Sequence, residues 1–98
     1  MAKKKKKTQR KRRTSGNLQL SLCLIARDEA DFLDRCLASV QGLVDEVVVV
    51  DTGSRDGTKT VARRHGARLF SHTWTGDFSE ARNAAIESAR GQSILVLD

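Results

Sequence analysis

Carboxylate side chains follow apolar runs, directly or after one residue, at three places in this chain of 98 residues. Asp51 follows four valines, Asp28 and Glu29 come shortly after a second apolar run, and Asp98 ends the chain after a third. An ionised carboxylate accepts hydrogen bonds from ring N–H groups and hydroxyls, and a pair of them can hold Mg²⁺ or Mn²⁺. These residues could therefore bind a polar ligand that brings its own donors or its own cation.

Four apolar runs alternate along the chain with three segments of helical periodicity. The runs predict strands at 18–26, 47–50, 67–70 and 93–97, and the periodic segments predict helices at 31–40, 58–65 and 78–89. Such an alternation is typical of parallel strands joined by right-handed crossovers. The sequence therefore predicts a doubly wound α/β fold, with a parallel sheet of about four strands in the order 3-2-1-4 and helices on both faces.

Residues near the helix ends support these limits. Asp77 has an acid three positions later, at Glu80, which is typical of a helix N-cap. Gly66 stands where a helix often ends in a left-handed residue. Asp56 followed by glycine predicts a cap for the second helix.

The order 3-2-1-4 places the switch point of the sheet between strands 1 and 4. The carboxyl ends of strands 1, 2 and 4 then open on one crevice, where ligands bind in open α/β sheets. Asp28, Glu29, Asp51 and Asp98 are expected to converge there. Arg27 to Glu29 stands where a dinucleotide-binding fold needs Gly-x-Gly-x-x-Gly, so an NAD site is not predicted.

The N-terminal segment carries the excess of positive charge. Residues 1–15 hold nine of the eighteen Lys and Arg and no acid, so removing them from the net charge of +6 leaves −3 for the rest. Clustered like charges with nothing to bury predict a disordered polybasic tail over residues 1–17. Such a tail attracts an anionic membrane surface or nucleic acid phosphates.

Residues 18–98 are expected to be the incomplete N-terminal part of a domain. The chain stops directly after the predicted fourth strand, which would leave an apolar sheet edge exposed. No apolar run approaches the roughly 20 residues of a transmembrane helix, and the basic N-terminus lacks the apolar core of a signal peptide. The sequence predicts a cytoplasmic protein without a transmembrane segment. Any association with the membrane is expected to be peripheral.

Five motifs in order resemble the start of a family 2 glycosyltransferase of the GT-A fold. They are Leu22-Cys-Leu-Ile-Ala-Arg27-Asp28-Glu29, Arg35-Cys-Leu-Ala-Ser-Val40, Val48-Val-Val-Asp51-Thr-Gly-Ser54-Arg-Asp56-Gly57-Thr58, Phe78-Ser-Glu-Ala-Arg82-Asn83 and Ile94-Leu-Val-Leu-Asp98. The resemblance covers residues 18–98. It implies a truncated GT-A fold, represented by its N-terminal nucleotide-binding half.

The resemblance also implies a nucleotide-sugar site. Its residues would be Ala26, Arg27, Glu29, Asp51, Ser54, Arg82, Asn83 and Asp98. In the family the acid after strand 2, here Asp51, contacts the uracil or its ribose, and a basic residue followed by Asn, here Arg82 and Asn83, holds the nucleotide-sugar. The chain departs from the family pattern at Thr52, where Gly is commoner, and at Asp28, where Asn is usual.

Asp98 resembles the first acid of the family's Asp-x-Asp element. That element implies a Mg²⁺ or Mn²⁺ cofactor, with Asp98 as a ligand and a second acid that this chain does not contain. The catalytic base belongs to the acceptor-side half of the family's fold, so no residue of this chain is expected to be catalytic.

The function implied is transfer of a hexosyl-type sugar, from a UDP-sugar donor to an unknown acceptor, with inversion. The 98 residues alone are expected to be inactive. One alternative is a receiver-like phospho-acceptor domain, which also has an acidic pair after strand 1 but places its acceptor after the third strand. Another is a non-catalytic binding fragment with a basic tail. Trp74 is expected either to pack against the sheet edge or to take part in the site.

Overall fold

The computed structural model describes residues 6–10, as backbone, and residues 19–97. The elements are β1 (Lys6–Arg10), β2 (Leu20–Ala26), α1 (Ala30–Ser39), β3 (Glu46–Asp51), α2 (Thr58–Arg64), β4 (Arg68–Ser71), α3 (Phe78–Ser88) and β5 (Ser93–Leu97). The four strands and three helices expected from the sequence are all present, and their ends lie close to the predicted limits. None of the helices in these ranges is long and apolar enough to cross a membrane.

The strands form one sheet in the order β1-β5-β2-β3-β4. The strands β5, β2, β3 and β4 are parallel to one another. Counted as the four apolar strands 1 to 4 in chain order and read from β4, they stand in the order 3-2-1-4, as predicted. Ala26 at the end of β2 lies opposite Asp51 at the end of β3. The loops that follow these two strands therefore start side by side at one edge of the sheet.

β1 is an edge strand that the sequence pattern did not predict. It runs antiparallel to β5, with Lys6 opposite Leu97 and Arg10 opposite Ser93. The prediction of a disordered tail is therefore wrong for residues 6–10, and the remainder of 1–17 lies outside the described residues. Without β1, β5 would present a row of unpaired N–H and C=O groups, and main-chain pairing can satisfy them whatever the side chains are.

Both faces of the sheet are covered by helices, as predicted. Alternate residues of β2 supply the two faces, with Leu22 and Leu24 on one and Cys23 and Ile25 on the other. The first face also contains Ala26 of β2, and its buried partners from α1, α2 and the neighbouring strands are Leu33, Leu37, Val49, Val61, Ala62 and Leu97. Those of the second face, from α3 and the neighbouring strands, are Val48, Val50, Ala81, Ala85, Ala89, Ile94 and Val96.

Helix α3 lies on its face of the sheet through alanines. Its inward residues Ala81 and Ala85 are fully buried, and their small side chains allow a close approach to the strands. Asp77 caps the helix, since its carboxylate accepts a hydrogen bond of 2.8 Å from the Ser79 N–H. The cap predicted from the sequence is confirmed. Gly66, with φ 76°, is the left-handed residue expected after α2.

A polar cluster ties the opposite, amino-terminal edge of the sheet together. The Ser21 hydroxyl donates to Glu46 Oε1 at 2.7 Å and accepts from the Gly91 N–H at 2.8 Å. Burial is the largest influence on the pKa of Glu46 and raises it, but hydrogen bonds from Arg90 and Ser21, with the charge of Arg68, outweigh it and lower that pKa. The cluster leaves no room beside Gly91, where an added Cβ would lie 2.5 Å from the Ser21 hydroxyl oxygen.

We expect Gly91→Ala to lower the free energy of unfolding by about 1–3 kcal/mol, because the new methyl group must displace Ser21 and the β2 backbone. Urea denaturation measures this loss. Gly57→Ala is the matched control, since Gly57 has φ −81° and a methyl group added there would meet open space. Its change should stay within about 0.5 kcal/mol. Equal stability of the two variants would contradict the tight packing described for Gly91.

Candidate functional site

Two loops at the carboxyl edge of the sheet are held together by hydrogen bonds between side chain and main chain. Asp28, in the loop after β2, accepts from the Arg55 N–H at 2.6 Å and from the Asp56 N–H at 3.3 Å through Oδ1. Its own N–H donates to the Ser54 hydroxyl oxygen at 2.8 Å. The loop after β2 and the loop after β3 therefore have one joint conformation.

Residues of the second loop return the same kind of contact. Asp56 Oδ2 accepts from the Ala30 N–H at 3.2 Å, and the Thr58 hydroxyl oxygen accepts from the Glu29 N–H at 2.9 Å. Asp56 Oδ1 also accepts from the N–H of Thr58, the first residue of α2, at 2.9 Å. The N-cap of α2 is Gly57, and Asp56, one residue earlier, accepts from the first N–H of the helix instead of occupying the predicted cap position. Hydrogen bonds from Thr58 are the main reason why the pKa of Asp56 is lowered.

Asp28 occupies a backbone conformation that few residues adopt. Its φ is 52°, in the left-handed region, which Asp and Asn tolerate better than other residues with a Cβ. Both residues also offer a side-chain oxygen to the facing loop. This is a physical reason why Asp can stand where the resemblance led us to expect Asn.

Asp51 lies at the junction of these loops and is 1% exposed. Its Oδ1 accepts from the Gly53 and Ser54 N–H groups, each at 2.9 Å. Its Oδ2 is buried and has no hydrogen-bond partner among the described residues. Leaving a buried carboxylate oxygen without a donor is costly, so this atom is positioned to accept a hydrogen bond from a bound molecule.

The pKa of Asp51 is set by opposing influences. Burial is the largest one and raises the pKa. Hydrogen bonds from Ser54 and Gly53, together with the charge of Lys59, act in the opposite direction and outweigh burial, so the pKa lies below its ordinary value of 3.8. Asp51 is therefore an ionised acceptor at neutral pH.

Three cavities open at this edge of the sheet. One, of about 640 Å³, is lined by α1 and the two loops, including Asp28, Glu29 and Asp56; the other two lie at the end of β3. The aromatic cavity has a volume of about 230 Å³ and is lined by Ile25, Ala26, Arg27, Glu29, Thr52, Trp74 and Phe78. The Asp51 cavity has a volume of about 200 Å³ and is lined by Asp51, Thr52, Gly53, Lys59, Ser71, His72 and Thr73. Because Thr52 lines both, the two cavities adjoin at the end of β3.

The structure brings together most, but not all, of the predicted site residues. Ala26, Arg27 and Glu29 line the aromatic cavity, and Asp51 lines the adjoining one. Ser54 links the loops beside them through its contacts with Asp28 and Asp51.

Three predicted residues are not in this group. Arg82 is half-buried and Asn83 is exposed on α3, one turn beyond Phe78, and neither lines the two cavities. Asp98 lies outside the described residues, so its expected convergence with Asp51 stays a prediction. Residues 19–97 contain no group of three or more His, Cys, Asp or Glu side chains that could hold a metal ion.

Lys59 and His72 are site residues that the sequence pattern did not reveal. The charge of Lys59 lowers the pKa of Asp51. Lys59 and His72 both line the Asp51 cavity. The His72 Nε2 atom is buried without a hydrogen-bond partner among residues 19–97, and lies 4.0 Å from Glu80 Oε2. The one signal available was position, because His72 directly follows β4 at the edge where the other strands end.

The joint conformation of the two loops depends on both features of Asp28. We expect the free energy of unfolding to fall in the order wild type, Asp28→Asn, Asp28→Gly, Asp28→Ala. Asn keeps an acceptor, Gly keeps only the left-handed backbone, and Ala keeps neither, with a loss of about 1–3 kcal/mol. Urea denaturation gives the order. An Ala variant as stable as the Asn variant would contradict this account.

The lowered pKa of Asp51 predicts a stability change in acid. Because folding lowers this pKa, the ionised form stabilises the fold fully above the unfolded value of 3.8, and this contribution is lost as pH falls through the lower folded value. We would measure the free energy of unfolding in steps of pH from 5 downward, starting about one unit above the unfolded pKa. It should fall less steeply with pH for Asp51→Asn than for wild type. Parallel curves would show that Asp51 does not contribute.

Comparison with known proteins gives the family. Residues 21–98 match the family described as Glycosyl transferase family 2. A TPR repeat-containing protein of Synechococcus elongatus is 59% identical over 80 residues, which cover 82% of this chain and 20% of that protein. An uncharacterized glycosyltransferase of Rickettsia felis is 38% identical over 58 residues, which cover 59% of this chain and 20% of that protein. The chain thus spans about a fifth of the length of these relatives.

Solved structures agree with this match. Glucosyl-3-phosphoglycerate synthase from Mycobacterium tuberculosis, in complex with phosphoglyceric acid, has a TM-score of 0.64 at 27% identity, over 76% of this chain and 31% of that one. The same enzyme with Mn²⁺, UDP-glucose and phosphoglyceric acid has a TM-score of 0.50 at 34% identity, over 56% of this chain and 21% of that one. The chain belongs to glycosyl transferase family 2, and it forms an N-terminal part of the GT-A fold.

Proposed function

We propose that this chain binds the nucleotide-sugar donor of a glycosyltransferase, and that the donor is a UDP-sugar. The observation that carries the proposal is the buried Asp51 Oδ2, which has no hydrogen-bond partner within residues 19–97. It lies at the carboxyl edge of a parallel sheet, where α/β folds bind their ligands. A uracil N–H or a ribose hydroxyl would supply the missing donor. The mycobacterial enzyme with this fold was crystallised with UDP-glucose.

The remaining residues of the proposed site surround that acceptor. Ala26, Arg27 and Glu29 would contact the donor from the aromatic cavity. Ser54 would act by holding Asp51 and the loop after β2 in place. Arg82 and Asn83, on the second turn of α3, would hold the donor farther along the edge, as the family resemblance implies.

A divalent cation, Mg²⁺ or Mn²⁺, belongs to the proposal through Asp98. Leu97, the residue before Asp98, pairs with Leu24 near the end of β2, so β5 ends at the same edge as β2 and β3. A carboxylate is a ligand that both cations accept. When bound, the cation would neutralise the charge of the donor's diphosphate. The Mn²⁺ in the complexes of the mycobacterial enzyme supports this assignment.

The reaction proposed for the full-length protein is inverting transfer of a hexosyl group to an acceptor. No residue of this chain is assigned a catalytic role, and the 98 residues alone are expected to be inactive. Membership of the family leaves the receiver-like alternative without support. Attraction of the basic N-terminal segment to an anionic membrane or to nucleic acid stays a prediction, as does a cytoplasmic location with peripheral membrane association.

The proposal is tested by Asp51→Asn in the full-length protein. Asn keeps an oxygen that can accept from the Gly53 and Ser54 N–H groups. Its NH₂ group takes the place of Oδ2, and this group cannot accept a hydrogen bond from an N–H or O–H group of the ligand. We expect UDP to bind about 10- to 100-fold more weakly, as measured by calorimetry. Glu87→Gln, which neutralises an exposed carboxylate on α3, is the control and should leave the affinity unchanged. Equal affinity of Asp51→Asn and wild type would refute the role of Asp51.

A further inference from the structure

Trp74 and Phe78 form an aromatic pair on the surface of the protein. Their ring centroids are 5.0 Å apart and their planes cross at 75°, which is a favourable edge-to-face arrangement. Trp74 is 37% exposed and Phe78 is 54% exposed. Packing within the described residues therefore leaves a large part of both rings uncovered, and both rings line the aromatic cavity.

The segment that carries the pair is held in place by local hydrogen bonds. The Thr75 hydroxyl donates to Glu80, and Asp77 accepts from the Ser79 N–H as the cap of α3. Gly76, with φ 84°, makes the turn between the two rings. A rigid aromatic wall loses little conformational entropy when a ligand binds against it.

The rest of the cavity lining combines apolar and polar residues. Ile25 and Ala26, at the end of β2, are apolar, and both are almost fully buried. Arg27, Glu29 and Thr52 add charged and hydroxyl groups to the lining. A flat ring that is apolar on its faces and polar at its edge is the kind of group that fits such a lining.

We propose that the Trp74 ring stacks on the nucleobase of the donor and that Phe78, packed edge-to-face against Trp74, completes this wall of the cavity. This inference rests on the proposed function, which it extends by naming the part of the donor that occupies the aromatic cavity. Thr52 joins this cavity to the one that Asp51 lines. One nucleoside could therefore place its base against Trp74 and donate its hydrogen bond to Asp51, across Thr52.

The test compares three probes and four variants of the full-length protein. The probes are UDP, UDP-glucose, and pyrophosphate with Mn²⁺, which has the charged groups but no base. Trp74→Leu and Phe78→Leu remove an aromatic ring, Trp74→Phe retains one, and Phe70→Leu changes an exposed aromatic residue of β4 that lines neither cavity.

We expect Trp74→Leu to weaken UDP binding by about 5- to 100-fold, the range that corresponds to loss of one base–aromatic stack. Phe78→Leu should also weaken UDP binding. Trp74→Phe should weaken it by no more than about 3-fold, since a smaller ring still stacks. Phe70→Leu should leave UDP binding unchanged. Binding of pyrophosphate with Mn²⁺ should be the same in all of them. UDP should also change the fluorescence of wild type more than that of Trp74→Phe, since only wild type has a tryptophan at this position.

Other outcomes would overturn the inference in distinguishable ways. If Trp74→Leu and Phe78→Leu bind UDP like wild type while Asp51→Asn does not, the stacking wall is refuted and the proposed function stands. If the variants lose only the extra affinity of UDP-glucose over UDP, the aromatic pair contacts the sugar and not the base. If pyrophosphate binding falls equally, the pair has a structural role. If wild type binds no UDP, the proposed function itself fails.

Discussion

The parallel pairing of β2 on both of its sides is the constraint on which the rest of the structure depends. A strand with hydrogen-bonded neighbours at both edges can be reached by the chain only through crossovers, and these must run over the faces of the sheet. The helices therefore cover both faces, and the alternating residues of β2 belong to two separate cores. The same geometry brings the ends of β2 and β3 level, so their loops meet without any long excursion of the chain.

The carboxylates at that meeting point have different tasks, and their hydrogen bonds show which task each has. The accepting oxygens of Asp28 and Asp56 are directed at main-chain N–H groups of the facing loop. Asp51 uses one oxygen for main-chain N–H groups of its own loop and keeps the other inside the protein without a donor among the described residues. The first two residues order the loops, which fixes the position of the third before any ligand arrives. An acceptor held in advance binds with less loss of entropy.

The sequence was sufficient for the parts of the structure that follow from local patterns. The four apolar runs and their order, the cap at Asp77 and the turn at Gly66 all depend on periodicity or on a single conformational preference, and they were predicted. β1 was not, because pairing along an edge uses main-chain groups, which are the same in every residue but Pro. Lys59 and His72 were missed since only the folded chain brings them to Asp51. Asp28 was recognised from its position, but its left-handed backbone was not visible in the pattern.

The register of β5 has a consequence for how the domain forms during synthesis. β2, β3 and β4 leave the ribosome in succession and can pair at once, yet the other side of β2 must wait for β5, whose Leu95 lies opposite Leu22. Contacts between distant parts of a chain form slowly, and an unpaired strand edge is prone to associate with other chains meanwhile. Lys6, still earlier in the chain, lies opposite Leu97. The described sheet is therefore completed only when β5 has been made, and β1, the earliest of these strands, waits longest for its neighbour.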